Sequence, residues 1–76
     1  MHARETTMKI SARNRFAGTV TDVKTGAVMA QVTIDIGGGN HVNSAIFVDS
    51  VKDLGIKKGD KVSAIIKSTD VIVLKD

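Results

Sequence analysis

The chain contains no cysteine, which excludes disulfide staples and thiolate metal sites. It has two histidines, His2 and His41, too few for a histidine-rich metal cage. Phe16 and Phe47 are its only aromatic residues. Single-stranded nucleic acid is gripped by stacking bases on aromatic side chains, and this chain offers no such platform. Long apolar runs are absent as well, which excludes a bilayer-spanning helix. No stretch joins a basic start, an apolar centre and a small-residue cleavage site, so no signal peptide is expected. Together these absences predict a cytoplasmic protein that contacts neither nucleic acid nor membrane. No Ser-His-Asp, Cys-His or paired-carboxylate arrangement can be assembled, and the chain is not expected to be an enzyme. Asp49 and Asp53 lie four apart beside lysines and read as solvated charge.

What is present fits one small domain. A chain of 76 residues buries only about 60% of the surface its unfolded form exposes. Domains of this size usually need a disulfide, a metal or a partner subunit. With the first excluded and the second unsupported, oligomerisation is the expected source of further burial. The formal net charge is +3. Its cations are spread along the chain, whereas nucleic-acid binders usually cluster theirs in a patch or stripe.

Residues 1–7 are polar and aperiodic and are expected to form a disordered extension, with the domain running from Met8 to Asp76. From Phe16 onward the pattern is that of strands. Gly18 to Lys24 is rich in Thr and Val, which suit a pleated surface. Val28, Ala30, Val32, Ile34 and Ile36 alternate with polar or flexible residues, and Val42, Ser44, Ile46 and Val48 resume the alternation. Thr25-Gly26 and Gly37 to Asn40 read as turns between them. Asp49 is a candidate cap for a short helix ending at Gly55. Lys57 to Asp60 is a further turn, and Val62, Ala64 and Ile66 define a fourth strand. Val71 to Leu74 is apolar on both faces, which predicts a last strand buried on both sides, one of them covered by another subunit. The expected fold is all-β: a five-stranded Greek-key barrel of the oligonucleotide-binding type with one short helix.

Few stretches carry chemistry. Gly37 to Asn40 lacks the Lys-Ser/Thr pair and following helix of a phosphate loop, and a tight hairpin turn accounts for it. Ser11-Ala12-Arg13-Asn14 packs hydroxyl, guanidinium, amide and backbone N–H donors between Ile10 and Phe16. A tetrahedral dianion wants this mixture of donors and positive charge with no carboxylate. A solvated loop leading into a strand explains the same residues, and on chemistry alone is the commoner case. Lys67-Ser68-Thr69 repeats the chemistry, with a polar turn as its alternative. Ser50, near the helix start, serves either an anion or the helix cap. His41 reads as surface, and Phe16 and Phe47 as packing residues.

Taken together, SARNRFAGTV (Ser11–Val20), VTIDIGGG (Val32–Gly39), SVKDLGIKKGDKVSAIIKST (Ser50–Thr69) and the closing VIVLKD resemble the molbindins. These are the small Mop-type molybdate-binding proteins, whose module also occurs as the TOBE domain of molybdate transport ATPases and molybdate-responsive regulators. The resemblance spans Met8 to Asp76. It implies the same barrel, a hexamer built as a trimer of dimers, and molybdate or tungstate held where subunits meet. It implies as oxyanion ligands Ser11, the backbone of Ala12, Arg13, Lys67 and Ser68, with Ser50 as a further candidate and Asn14 holding the loop. The implied role is intracellular storage or buffering of the oxyanion. The alternatives are a nucleic-acid-binding barrel and a regulatory TOBE module belonging to a larger transporter or repressor.

Overall fold

A computed structural model of the chain describes residues 13–76. The expected extension, residues 1–7, lies outside them, as do Ser11 and Ala12. Four strands and a helix follow in order: β1 (Asn14–Thr25), β2 (Met29–Gly37), β3 (Asn40–Phe47), α1 (Val48–Leu54) and β4 (Lys61–Ile66). They make one antiparallel sheet in the order β3-β2-β1-β4. The chain is therefore all-β with one short helix, as its alternating pattern predicts.

β1 organises the sheet. Its first half pairs with β4, from Asn14 opposite Ile66 to Thr19 opposite Lys61. Its second half pairs with β2, from Thr19 opposite Asp35 to Thr25 opposite Ala30. Thr19 serves both neighbours at the changeover, and a register shift between Val20 and Asp22 follows at once. Such bulges bend a strand and increase its twist, and here the bend curls the sheet. Gly18 permits it. A Cβ at this position would stand 2.5 Å from the Asp35 carbonyl oxygen and 2.7 Å from Ile34 Cγ2.

The inner face of the curl holds a small core: Val20, Ala30, Val32 and Ile34 from the sheet, Ala64 from β4 and Val51 from α1. Residues two apart on β2 supply half of it, as period-two alternation requires. Val28, at the start of that pattern, precedes β2 and is exposed instead.

Local chemistry explains the connections. Gly38 and Gly39, at φ 64° and 81°, form the two central residues between β2 and β3, the positive-φ pair that matches strand twist in a tight hairpin. Asp35 Oδ1 accepts the Gly37 N–H at 2.8 Å and fixes the approach. α1 begins two residues earlier than a cap at Asp49 predicts. Phe47 is its N-cap, without a side-chain capping bond, and Asp49 lies in the first turn, where its charge favours the helix dipole. The tie that starts the helix is instead backbone, Val48 N–H to the Val28 carbonyl at 2.7 Å. Gly55 ends it in the left-handed region as expected. In the next turn Asp60 accepts the Lys57 N–H at 2.9 Å, and Val20 bonds to Asp60 and Gly59 through its backbone.

Two further expectations fail. After β4 comes a single 3-10 turn, Ser68–Asp70, and Val71–Leu74 forms no strand. These four residues are 50, 93, 87 and 86% exposed. The reason is partnership: a strand exists only where its backbone groups find a ladder, and this segment has none among the described residues. Likewise Phe16 and Phe47 are not packed away but 40% and 60% exposed. Phe47 sits opposite Met29 at the end of β3, on the face turned from the core.

Candidate oxyanion site

Ser11 to Asn14 and Lys67 to Thr69 are more than fifty residues apart in sequence, and the β1–β4 ladder closes that gap. Asn14 is the first residue of β1 and pairs with Ile66, the last of β4. Arg13 and Lys67 are the next residues outward on either side, so they flank the same end of one ladder. Asn14 adds a tie, its Nδ2 donating to the Ile66 carbonyl at 3.2 Å. The amide thus ties the start of β1 to the end of β4, beside Arg13 and Lys67.

Ser68 follows Lys67 as the first residue of the 3-10 turn. Ser11 and Ala12 precede Arg13 directly but lie outside the described residues. Arg13, Lys67 and Ser68 are all exposed. Exposed cations attract an anion only weakly because water screens them. A site at this sheet end acquires strength only if something covers it.

One cation escaped the sequence reading. Arg15 stands opposite Ile65, two residues along from Arg13. Three cations, Arg13, Arg15 and Lys67, thus each stand next to the Asn14–Ile66 pair along their own chain segments. Arg13 and Arg15 are neighbours in sequence, but only the register of the β1–β4 pairing brings Lys67 to them, and one sequence does not fix a register. Asp70, at the close of the 3-10 turn, is the carboxylate nearest in sequence to Lys67.

Ser50 does not join this group. It is partly buried in α1, whose first residue is tied to Val28. That places it beyond the far end of β1, a strand of 12 residues, from Arg13. Within one chain Ser50 and Arg13 serve different ends of the sheet. His41 is exposed on β3 opposite Asp35 and takes no part. Among the described residues, no group of three His, Asp or Glu could hold a metal ion, and no helix is long and apolar enough to cross a membrane.

The TOBE domain model matches residues 10–73. The chain belongs to the TOBE domain family. Within it, the resemblance is to the small Mop proteins. The chain is 52% identical over 67 residues to molybdenum-pterin-binding protein 3 of Clostridium pasteurianum, covering 88% of this chain and 98% of that one. Its fold superposes with a TM-score of 0.84 on a molybdate-binding protein from Sporomusa ovata, at 46% identity, covering 90% of this chain and all of the other. An equal TM-score, at 41% identity, relates it to the cytoplasmic molybdate-binding protein ModG in a molybdate-bound form; 90% of this chain and 48% of that one are covered.

Proposed function

We propose that this TOBE-family chain binds molybdate or tungstate as an intracellular store or buffer, and that its role is binding and not catalysis. The observation that carries the reading is the Asn14–Ile66 pair with its side-chain tie, which joins Arg13 to Lys67 and Ser68. Arg13 and Lys67 supply charge, while Ser11, Ser68 and the Ala12 backbone supply directed hydrogen bonds to a tetrahedral dianion. The names of the relatives, molybdenum-pterin-binding and molybdate-binding proteins that match along nearly their whole length, support the same ligand. The cytoplasmic location named for ModG supports an intracellular role.

In this reading the domain is residues 8–76, and it works as a homo-oligomer, a hexamer arranged as a trimer of dimers. The sheet supports that. Its two edges, β3 and β4, face each other across an open trough of about 1310 Å³, lined by Ile36, Val42, Ile46, Ile56, Val62 and Ile66 among others. One more strand between β3 and β4 would close the sheet into the five-stranded barrel. Val71–Leu74 is the apolar segment without a ladder, and a second copy's trough is where it pairs. The partner also covers the exposed cations, and Ser50 reaches an anion only from such a neighbour.

The test is calorimetric titration with molybdate, tungstate and sulfate, combined with a mass measurement of the assembly. Saturable binding of molybdate or tungstate by a protein of about six chain masses is expected. A titration with single-stranded oligonucleotide at physiological salt tests the rival reading. Tight, salt-sensitive binding there, with none of the dianions bound, would replace this proposal.

A further inference from the structure

The β1–β4 ladder carries positive charge and no carboxylate. Its two stretches, Asn14–Thr19 and Lys61–Ile66, contain Arg15 and Lys61 and neither Asp nor Glu. Strand alternation puts both cations on one face. Ala64 is buried and Val62 packs against the core, so Lys61, Ser63 and Ile65 stand on the face turned from it. Their partners Thr19, Ala17 and Arg15 stand there with them. The small neutral pair Ala17–Ser63 separates the two cations along this face. Lys61 is tethered, its Nζ donating to the Thr19 hydroxyl at 3.0 Å, and Thr19 has Asp35 as its partner on the other side. The field of Lys61 is therefore offset by a carboxylate one strand away. Arg15 has no such neighbour in the ladder. It is exposed and paired with Ile65, itself 41% exposed. Of the carboxylates that flank the ladder in sequence, Asp60 is engaged with Lys57, accepting its N–H and standing 3.5 Å from its ammonium. The other, Asp70, closes the turn after Lys67.

Resting on the function proposed above, we infer that Arg15 steers the oxyanion towards the Arg13–Lys67 end of the sheet without becoming one of its ligands. Asn14, which bonds to the Ile66 carbonyl, belongs to the opposite face from Arg15 by the same alternation. An arginine stem spreads over an apolar neighbour, here Ile65, and keeps its guanidinium in water. A hydrated charge adds little to a directed contact, yet its field still acts on an approaching dianion and raises the encounter rate. In water of low ionic strength a unit charge about 10 Å from a dianion multiplies that rate about threefold. Lys61 lies four residues farther along the ladder, about 13 Å at the rise of a strand, and should contribute less than about 1.5-fold.

The experiment titrates the full chain with molybdate and reads exchange line shapes of its backbone amide signals by NMR, which give association and dissociation rates separately. At about 0.01 M salt, Arg15→Gln should lower the association rate about threefold and leave the dissociation rate unchanged, the behaviour of a charge at the rim of a site. At about 1 M salt, where the Debye length is about 3 Å, the difference should vanish. Arg15→Lys keeps the charge on a different head group and should restore the parent rate, and Lys61→Gln should lose less than about 1.5-fold. Faster dissociation from Arg15→Gln that persists at high salt, and that Arg15→Lys does not repair, would make Arg15 a ligand and overturn the inference. Equal association rates for Arg15→Gln and the parent at low salt would overturn it too. Either result leaves the binding proposal standing, whereas a parent chain that binds no molybdate overturns both.

Discussion

Gly18→Ala is the sharpest probe of how the sheet is bent. The new Cβ would lie 2.5 Å from the Asp35 carbonyl oxygen, 2.7 Å from Ile34 Cγ2 and 3.2 Å from the Asp35 carbonyl carbon. Ile34 can give a little by changing rotamer. The carbonyl cannot, because Thr19 pairs with Asp35 and Val20 with Ile34 in the adjoining ladder. The two strands must therefore separate where β1 changes partners. Overpacking of this kind costs about 1–3 kcal/mol. Replacing glycine also stiffens the unfolded chain, which offsets about 0.4–1 kcal/mol where the native backbone tolerates alanine. The clash is with backbone, so the upper part of the range applies, and a net loss of about 2 kcal/mol is expected. At about 4–8 °C per kcal/mol for a domain this small, the melting temperature should fall by about 8–16 °C. Thermal and urea unfolding should be read at one fixed protein concentration, since stability of an assembly depends on it. Gly26→Ala is the comparison, with its nearest atom, the Met29 carbonyl oxygen, at 3.1 Å. Equal stability of Gly18→Ala and the parent would refute the close approach of β1 to β2, and with it the account of the curl.

Four further outcomes follow from the same geometry. Arg13→Ala and Lys67→Ala should each weaken molybdate binding by about 2–5 kcal/mol, the cost of removing one partner from a covered charged contact, while Lys57→Ala stays near the parent. Equal losses at Lys57 and Arg13 in calorimetry would mean diffuse attraction and no formed site. Ser68→Ala should cost about 1–3 kcal/mol of binding, and a loss as large as that at Arg13 would show that the charge assignment is wrong. Asn14→Leu should lower fold stability by about 0.5–1.5 kcal/mol and weaken molybdate binding as well; unchanged affinity on calorimetry would mean that the two loops need no tie. Gly39→Val should destabilise the β2–β3 hairpin by about 1–2 kcal/mol because φ at that position is positive, which urea unfolding will register.

The parts of the fold legible in one sequence are those that short-range chemistry decides. Alternation from Ala30 to Ile34 announces a strand and names its buried residues, because side-chain direction along a strand depends on nothing but parity. Gly38-Gly39 and Gly55 announce a turn and a helix end because few other residues accept their φ. The donor content of Ser11 to Asn14 and Lys67 to Thr69 is equally local, so both segments could be named. What joins them is not local. Whether Asn14 meets Ile66 or a residue two places away is a matter of register between segments far apart in the chain, and Lys67 and Ser68 become neighbours of Arg13 and Arg15 only through it. The helix start was misplaced at Asp49 because a backbone bond from Val48 to Val28 does the work that a side-chain cap would otherwise do.

Val71–Leu74 shows the same divide from the other side. Its residues favour a strand, and nothing in the sequence says that the ladder it needs is missing among the described residues. A sheet with two free edges, a small core and an unpaired apolar arm leaves most of the remaining favourable burial to association. Exposed cations at Arg13 and Lys67 leave the electrostatics in the same position, since only exclusion of water makes a charge-assisted bond to an anion strong. Both deficits lie within a few residues of Ser68. The oligomer proposed above answers both at once, since a second copy that covers this end of the sheet buries apolar surface and excludes water from the cations in one step.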